Sequence, residues 1–259
     1  MAREFRIIFC LVAAVFGLTG LFAQDQARST LTASVDHSMF DALLKDHVQD
    51  GRVDYAGLKS DVRLADYLAL MADVDLNVLS RDERLVYWIN TYNAVTLKLM
   101  AGAWPVESIM KLNGGKPWDV PLFRPRGARA AITLNHLEHG IIRKEFDEPR
   151  IHFALVCAAV SCPPLIPEAY VAEKLETQLA VQTQSFLRDP AHNVYDQGQH
   201  TLRLSPLFQW YAGDFGGEAN VLAFVLPYLT SSDQRALRNK SAPPALVFGD
   251  YDWSPNAKE

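Results

Sequence analysis

The longest uninterrupted pattern in the chain is Leu85-Val-Tyr-Trp-Ile-Asn-Thr-Tyr-Asn-Ala-Val-Thr-Leu-Lys-Leu-Met100. It is apolar nearly all round and carries no polar stripe, which predicts a central helix buried on every side. Ser80-Arg-Asp-Glu83 has capping-box spacing and places the helix start, and Gly102 and Pro105 end it. Other apolar periodicities are one-sided. Phe40, Leu43, Leu44 and Val48 predict an amphipathic helix capped by Asp36, and a further helix is expected over 58–72. Asn135 caps a helix to about Phe146, and Val171, Leu175, Leu179 and Phe186 mark the inner face of one over 168–188. Shorter helices are predicted at 207–211 and 221–229. Ile151-His-Phe-Ala-Leu-Val156 reads as a buried strand. Val194-Tyr195 and Thr201–Leu204 read as a hairpin, and Leu246-Val-Phe248 as a last strand. Residues 113–127 read as a long loop. Helices outnumber strands and no βαβ alternation appears. The pattern predicts an α+β fold: one helix-rich domain over 36–259, with a small mixed or antiparallel sheet around the buried central helix.

The N-terminus follows a different pattern. Arg3 and Arg6 precede an uncharged run from Ile7 to Phe22, and Ala23 supplies a small residue at a cleavage position. This predicts a signal peptide over 1–23, a flexible leader over 24–35, and a periplasmic or secreted mature protein with no integral membrane part. An uncleaved N-terminal anchor is the other reading of the run. Cleavage leaves 236 of 259 residues and moves the net charge from −5 to −6. A mildly acidic chain without a basic run argues against nucleic acid as a partner.

Export changes the reading of the two cysteines that remain, Cys157 and Cys162. In an oxidising compartment a disulfide between them is considered first. The functional alternatives are a nucleophilic thiolate at Cys157, with backbone donors at Ala158, Ala159 and Ser161 for an oxyanion, or a thiol–disulfide switch. The segment 136–162 also concentrates His136, His139 and His152, three of the seven histidines, together with Glu138. In a strand, His152 and Cys157 would face opposite ways. A helix folding back through residues 147–149 instead puts Glu138, His139 and His152 at one level. The expectation is one site holding both histidines, with Glu138 or Asn93 setting their tautomers; satisfied core histidines are the bland alternative.

Asn90 and Asn93 lie three apart on the most apolar helix, so each amide needs a partner. A structural network to a loop is favoured over an amide that orients a histidine or substrate. Trp210, Tyr211 and Asp214, near three glycines, form either a packed lid with Asp214 bonded to local backbone or the rim of a binding pocket. No spaced metal-ligand motif and no cofactor fingerprint is present. The expected ligand is an unspecified small molecule, peptide or glycan.

Three blocks carry a family resemblance: Tyr87-Trp-Ile-Asn-Thr-Tyr-Asn-Ala94; Leu134–Arg143 with Pro149–Cys157 and Ser161-Cys-Pro163; and Leu207–Tyr211 with Asp214-Phe215. Val53-Asp-Tyr55 and Tyr251-Asp-Trp-Ser254 add to them. Together they resemble the domain of unknown function 547 family in its bacterial, exported type. The resemblance implies no residue roles. Two functions from different classes therefore stay open. One is a thiol- or histidine-dependent hydrolase or transferase, and the other is a non-catalytic envelope binding domain.

Overall fold

A computed structural model describes residues 33–258. The predicted signal peptide and most of the leader lie outside them. The end of the leader lies against the domain: Ala33 bridges Leu79, and the Val35 amide reaches the Glu83 carboxylate at 3.3 Å.

The chain begins with α1 (Ser38–His47), a hairpin of β1 (Val48–Gln49) and β2 (Arg52–Val53), α2 (Tyr55–Ser60) and α3 (Arg63–Asp73). The cap position of α1 is His37, which makes no side-chain cap bond; Asp36, expected as the cap, stands one residue earlier and accepts the Ser38 amide at 2.8 Å. The single helix expected over 58–72 is two helices. The Asp61 carboxylate accepts the Arg63 amide at 3.0 Å and turns the chain between them. The central helix, α4 (Arg81–Ala103), starts where the cap predicted, with Ser80 accepting the Glu83 amide at 3.2 Å. It is buried from Leu85 to Leu97, and α2 and α3 pack on it.

The segment read as a long loop contains one strand of a two-stranded antiparallel sheet, β3 (Pro121–Phe123) with β4 (Ile132–Thr133). A π-helical segment, His136–Ile142, follows and runs into the single turn α5 (Arg143–Glu145). The expected strand at 151–156 does not form. Pro149–Phe153 is a 3-10 helix, begun by Pro149 and by the Glu148 carboxylate accepting the Arg150 amide at 3.1 Å. The helix expected over 168–188 is α6 (Leu175–Leu187), preceded by a 3-10 turn; Leu175, Leu179 and Phe186 face inward, whereas Val171 is only half-buried.

The last third carries β5 (Val194–Asp196) and β6 (Thr201–Leu204), then α7 (Leu207–Trp210), α8 (Val221–Val225), α9 (Ser231–Arg238) and β7 (Ala245–Phe248). β5 and β6 form the predicted hairpin, and β7 adds to β6 in parallel. The fold is α+β, with a buried central helix and, among the described residues, three small sheets. Two apolar clusters fill it: a large one around α4, and a smaller one of Phe153, Phe186, Phe208 and Phe215 with their neighbours. The 149–157 segment feeds both, since Ile151 belongs to the first and Phe153 to the second.

After β7 the chain crosses back over the domain. Asp252 and Ser254 carbonyls accept the Ser161 and Val160 amides, and the Asn256 amide donates to Ala158. The Asn256 side chain then accepts from Tyr55 at 2.7 Å and donates to the Gly51 carbonyl at 3.1 Å. The terminal segment thus fastens the 158–161 loop to β2.

Candidate functional site

A cavity of about 370 Å³ opens where these pieces meet. Its walls come from α4, the π-helical segment, the 152–163 stretch, α7 and the terminal segment. Cys157, Cys162 and two histidines, His139 and His152, line it.

Cys157 is placed by the backbone on both sides. Before it, Asn93 holds the chain with both ends of its amide: Nδ2 donates to the Ala154 carbonyl at 2.9 Å, and Oδ1 accepts the Val156 amide at 3.0 Å. After it, Ala158 takes φ +62°, a left-handed conformation costly for a residue with a Cβ. The turn is kept by the terminal segment fastened to it. Both cysteines are free thiols. The Cys157 amide donates to Cys162 Sγ at 2.8 Å, and Cys157 Sγ meets the Tyr251 hydroxyl at 3.0 Å. Burial pushes the Cys157 thiol up, but hydrogen bonds from Cys162, Tyr251 and the Ala159 amide outweigh it, so its pKa falls below the ordinary thiol value. Burial and the adjacent Cys157 push Cys162 well above that value. Tyr251 is also raised, by burial and the two sulfurs, so its phenol keeps its proton and donates to a Cys157 thiolate.

Two of the three backbone donors expected for an oxyanion, those of Ala159 and Ser161, are committed elsewhere. The Ala159 amide points to the Cys157 sulfur, and the Ser161 amide to the Asp252 carbonyl. No imidazole is within hydrogen-bond reach of Cys157 Sγ among the described residues; its side-chain partners are Tyr251 and Cys162.

The two histidines belong to one network. His152 Nε2 bonds Asp214 Oδ2 at 2.7 Å. Arg143 grips the same carboxylate with two bonds, Nε at 2.6 Å and Nη2 at 2.8 Å, and its Nη1 donates to His139 Nδ1 at 2.8 Å. Burial raises the Asp214 pKa, but the bonds from His152 and Arg143 outweigh it and hold the carboxyl well below the usual range. A carboxylate only accepts and a guanidinium only donates. His152 therefore carries a proton on Nε2, and His139 accepts at Nδ1, which makes it neutral with its proton on Nε2. Both rings lean on Tyr211, with centroids at 3.9 Å for His152 and 6.2 Å for His139. The Arg143 guanidinium lies 5.1 Å from the centre of the same ring.

The sequence expectation of one site for both histidines agrees with this shared network, but the groups that set their tautomers differ. Asp214 and Arg143 do so. Glu138 instead accepts the Tyr92 hydroxyl at 3.0 Å, and Asn93 bonds backbone. Asp214 is not tied to local backbone, because it reaches 62 positions to His152 and 71 to Arg143. Asn90 bridges the Tyr170 amide and carbonyl at 3.0 and 2.9 Å, the structural network expected of it, away from the cavity lining. Trp210 is 48% exposed and stacks on Trp253 at 6.0 Å and 15°. Trp118 meets Trp253 edge-on at 5.8 Å.

Tyr92, Arg143, Tyr251 and Trp253 were not singled out from the sequence. Tyr92 and Arg143 lay inside quoted blocks between stronger candidates. Tyr251 and Trp253 sit in the Tyr251-Asp-Trp-Ser254 stretch, 94 positions from Cys157 in the case of Tyr251. That stretch was the one available signal for them. Among the described residues, no group of three or more His, Cys, Asp or Glu side chains is arranged to hold a metal ion, and no helix is long and apolar enough to cross a membrane.

Residues 76–187 match the family described as protein of unknown function, DUF547. The DUF547 match runs from just before α4 to the end of α6. It contains Asn93, Glu138, His139, Arg143, His152 and Cys157, whereas Tyr211, Asp214, Tyr251 and Trp253 fall beyond it. The site is therefore completed by chain outside the matched region. No curated protein and no solved structure matches this chain.

Proposed function

We propose that the cavity is the site of a thiol-dependent hydrolase or transferase, with Cys157 as nucleophile, acting outside the cytoplasm after removal of the signal peptide at Ala23. The observation that carries this reading is the Cys157 sulfur. It lines a cavity, sits at a left-handed turn, and accepts bonds that lower its pKa. In the proposed reaction the thiolate attacks an acyl carbon and the leaving group departs with a proton. Water or a second nucleophile then attacks the thioester, releases the acyl product and returns the thiol. His152, oriented by Asp214, and His139 are the acid–base groups of the same cavity.

The test is alkylation by iodoacetamide across pH, read by peptide mass, together with acylation by p-nitrophenyl acetate. Cys157 should react ahead of Cys162, with an inflection below the ordinary thiol value near 8.5. Cys157→Ser should abolish nitrophenolate release. Equal reactivity of the two thiols, or release unaffected by Cys157→Ser, refutes the proposal. A second reading, a binding domain for a peptide, glycan or small molecule, is favoured by one observation: no imidazole bonds the sulfur. Under that reading ligands protect the cavity tryptophans while Cys157→Ser changes no turnover.

A further inference from the structure

The cavity sets aromatic walls around a carboxylate that forms no ion pair among the described residues. Glu138 is 6% exposed, lines the cavity, and bonds the Tyr92 hydroxyl through Oε2. Among the described residues no lysine, arginine or histidine nitrogen lies within 4.0 Å of its carboxylate. Other partly buried carboxylates have such partners: Asp61 has Arg63, Asp214 has Arg143, and Glu148 has Arg150. Glu83, equally buried, sits in the first turn of α4, where the helix amides face it. Glu138 stands in the first turn of the π-helical segment and feels Arg143 at longer range, but it forms no ion pair; its side-chain partner is the Tyr92 hydroxyl. A buried charge without a counter-charge is costly unless something supplies one.

The walls favour the same sign. Trp118, Trp210, Tyr211, Tyr251 and Trp253 line the cavity, and their ring faces carry negative electrostatic potential. No lysine or arginine is among the lining residues. The nearest guanidinium, Arg143, spends two of its hydrogen bonds on Asp214 and makes none to Glu138. A neutral sugar would also stack on the rings, but it would leave the carboxylate without a counter-charge. An anion would meet Glu138 with nothing to offset it.

We infer that this cavity binds a ligand through a cationic group, a protonated or alkylated amine, with the aromatic rings around it and Glu138 as its counter-charge. The inference rests on reading the cavity as the substrate site, and it gives the substrate class: an acyl compound bearing an ammonium group.

The test compares choline with 3,3-dimethylbutan-1-ol, its neutral isostere, by calorimetry and tryptophan fluorescence on the protein, at fixed ionic strength. Choline should bind at least about tenfold more tightly than the isostere. Glu138→Gln should shrink that ratio to within about threefold, since the rings alone retain only part of the preference. Equal binding of the two probes by the unaltered protein overturns the inference, as does tighter binding of neutral methyl β-glucoside than of choline. The unaltered protein decides this even where Glu138→Gln fails to fold. The thiol reading fails separately: a protein that prefers choline but whose Cys157 alkylates no faster than Cys162 loses the nucleophile and keeps the cation site. One with a reactive Cys157 and no choline preference loses the cation site alone.

Discussion

Replacing Asn93 with alanine tests whether this amide positions the nucleophile or merely fills the core. Asn93 is 1% exposed, and its side chain satisfies two backbone groups, the Ala154 carbonyl and the Val156 amide. Both belong to buried residues, and no other protein partner serves either group. Truncation leaves an orphan donor and an orphan acceptor at about 1–3 kcal/mol each, so the expected cost is about 2–6 kcal/mol. A domain of this size has about 5–15 kcal/mol in hand, so the variant stays folded at room temperature. Asn90 provides a matched control. It is equally buried on the same helix, and it makes the same pair of bonds to Tyr170. Asn90→Ala should therefore cost a similar amount. The two variants should part at the thiol. Val156 directly precedes Cys157, so Asn93→Ala should slow iodoacetamide alkylation of Cys157 several-fold and move its pH inflection toward an ordinary thiol, whereas Asn90→Ala should change neither. Urea unfolding followed by tryptophan fluorescence gives the first quantity and peptide mass the second. A cost below about 1 kcal/mol for Asn93→Ala, or equal effects of both variants on Cys157, would refute the reasoning.

Three further outcomes are expected. Ile89 is fully buried in α4, so Ile89→Ala should cost about 2–5 kcal/mol in urea, and a cost under about 1 kcal/mol would show that α4 is peripheral. Burial lowers the His37 pKa to about 4, Asp36 opposing, with Nδ1 against the Tyr67 hydroxyl at 2.7 Å and Nε2 unpartnered. A depressed histidine stabilises the fold fully above its unfolded pKa of 6.5 and loses that contribution as pH falls through about 4, up to about 3 kcal/mol in all; His37→Gln should flatten the stability profile between those values, and an unchanged slope would count against it. N-terminal sequencing of the exported protein should begin at Gln24; a start at Met1 or Ala2 removes the cleavage proposal.

How much was legible in the sequence depended on whether a signal was local. The α4 helix was, because an all-round apolar run admits few other structures and Ser80 carries a specific cap. The β5–β6 hairpin was too, since turn and alternation agree. The 151–156 run was misread because β-branched and aromatic residues mark burial as much as strand, and a 3-10 turn feeding two apolar clusters buries them equally well. The helix boundary at 168 was misplaced for a related reason: Val171 and Gln178 are joined by a side-chain bond, Val171 amide to Gln178 Oε1 at 3.0 Å, which periodicity does not register. Candidate residues within 136–162 were legible as a cluster because they are close in sequence. Their partners were not, since Asp214 and Tyr251 reach the site from far along the chain.

Arg143 was hidden for a subtler reason, which also explains how the site is assembled. An α-helix places residue 142 over Glu138, and Ile142 is the apolar residue an α-periodic reading expects to face inward there. The segment is instead π-helical, and the Arg143 amide bonds back to the Glu138 carbonyl, five positions away. That extra residue in the turn moves Arg143 above Glu138 and leaves Ile142 fully buried in the main core. Gly140 permits the arrangement, because a Cβ there would come within 2.7 Å of His136 Nδ1. The consequence is chemical. A single guanidinium donates to His139 and grips Asp214, which in turn accepts from His152, while Glu138 lines the cavity. A regular α-helix would still keep His139 beside Arg143 at i,i+4, but it would turn Glu138 away from Arg143, so it is the placing of Glu138 that depends on the π-turn.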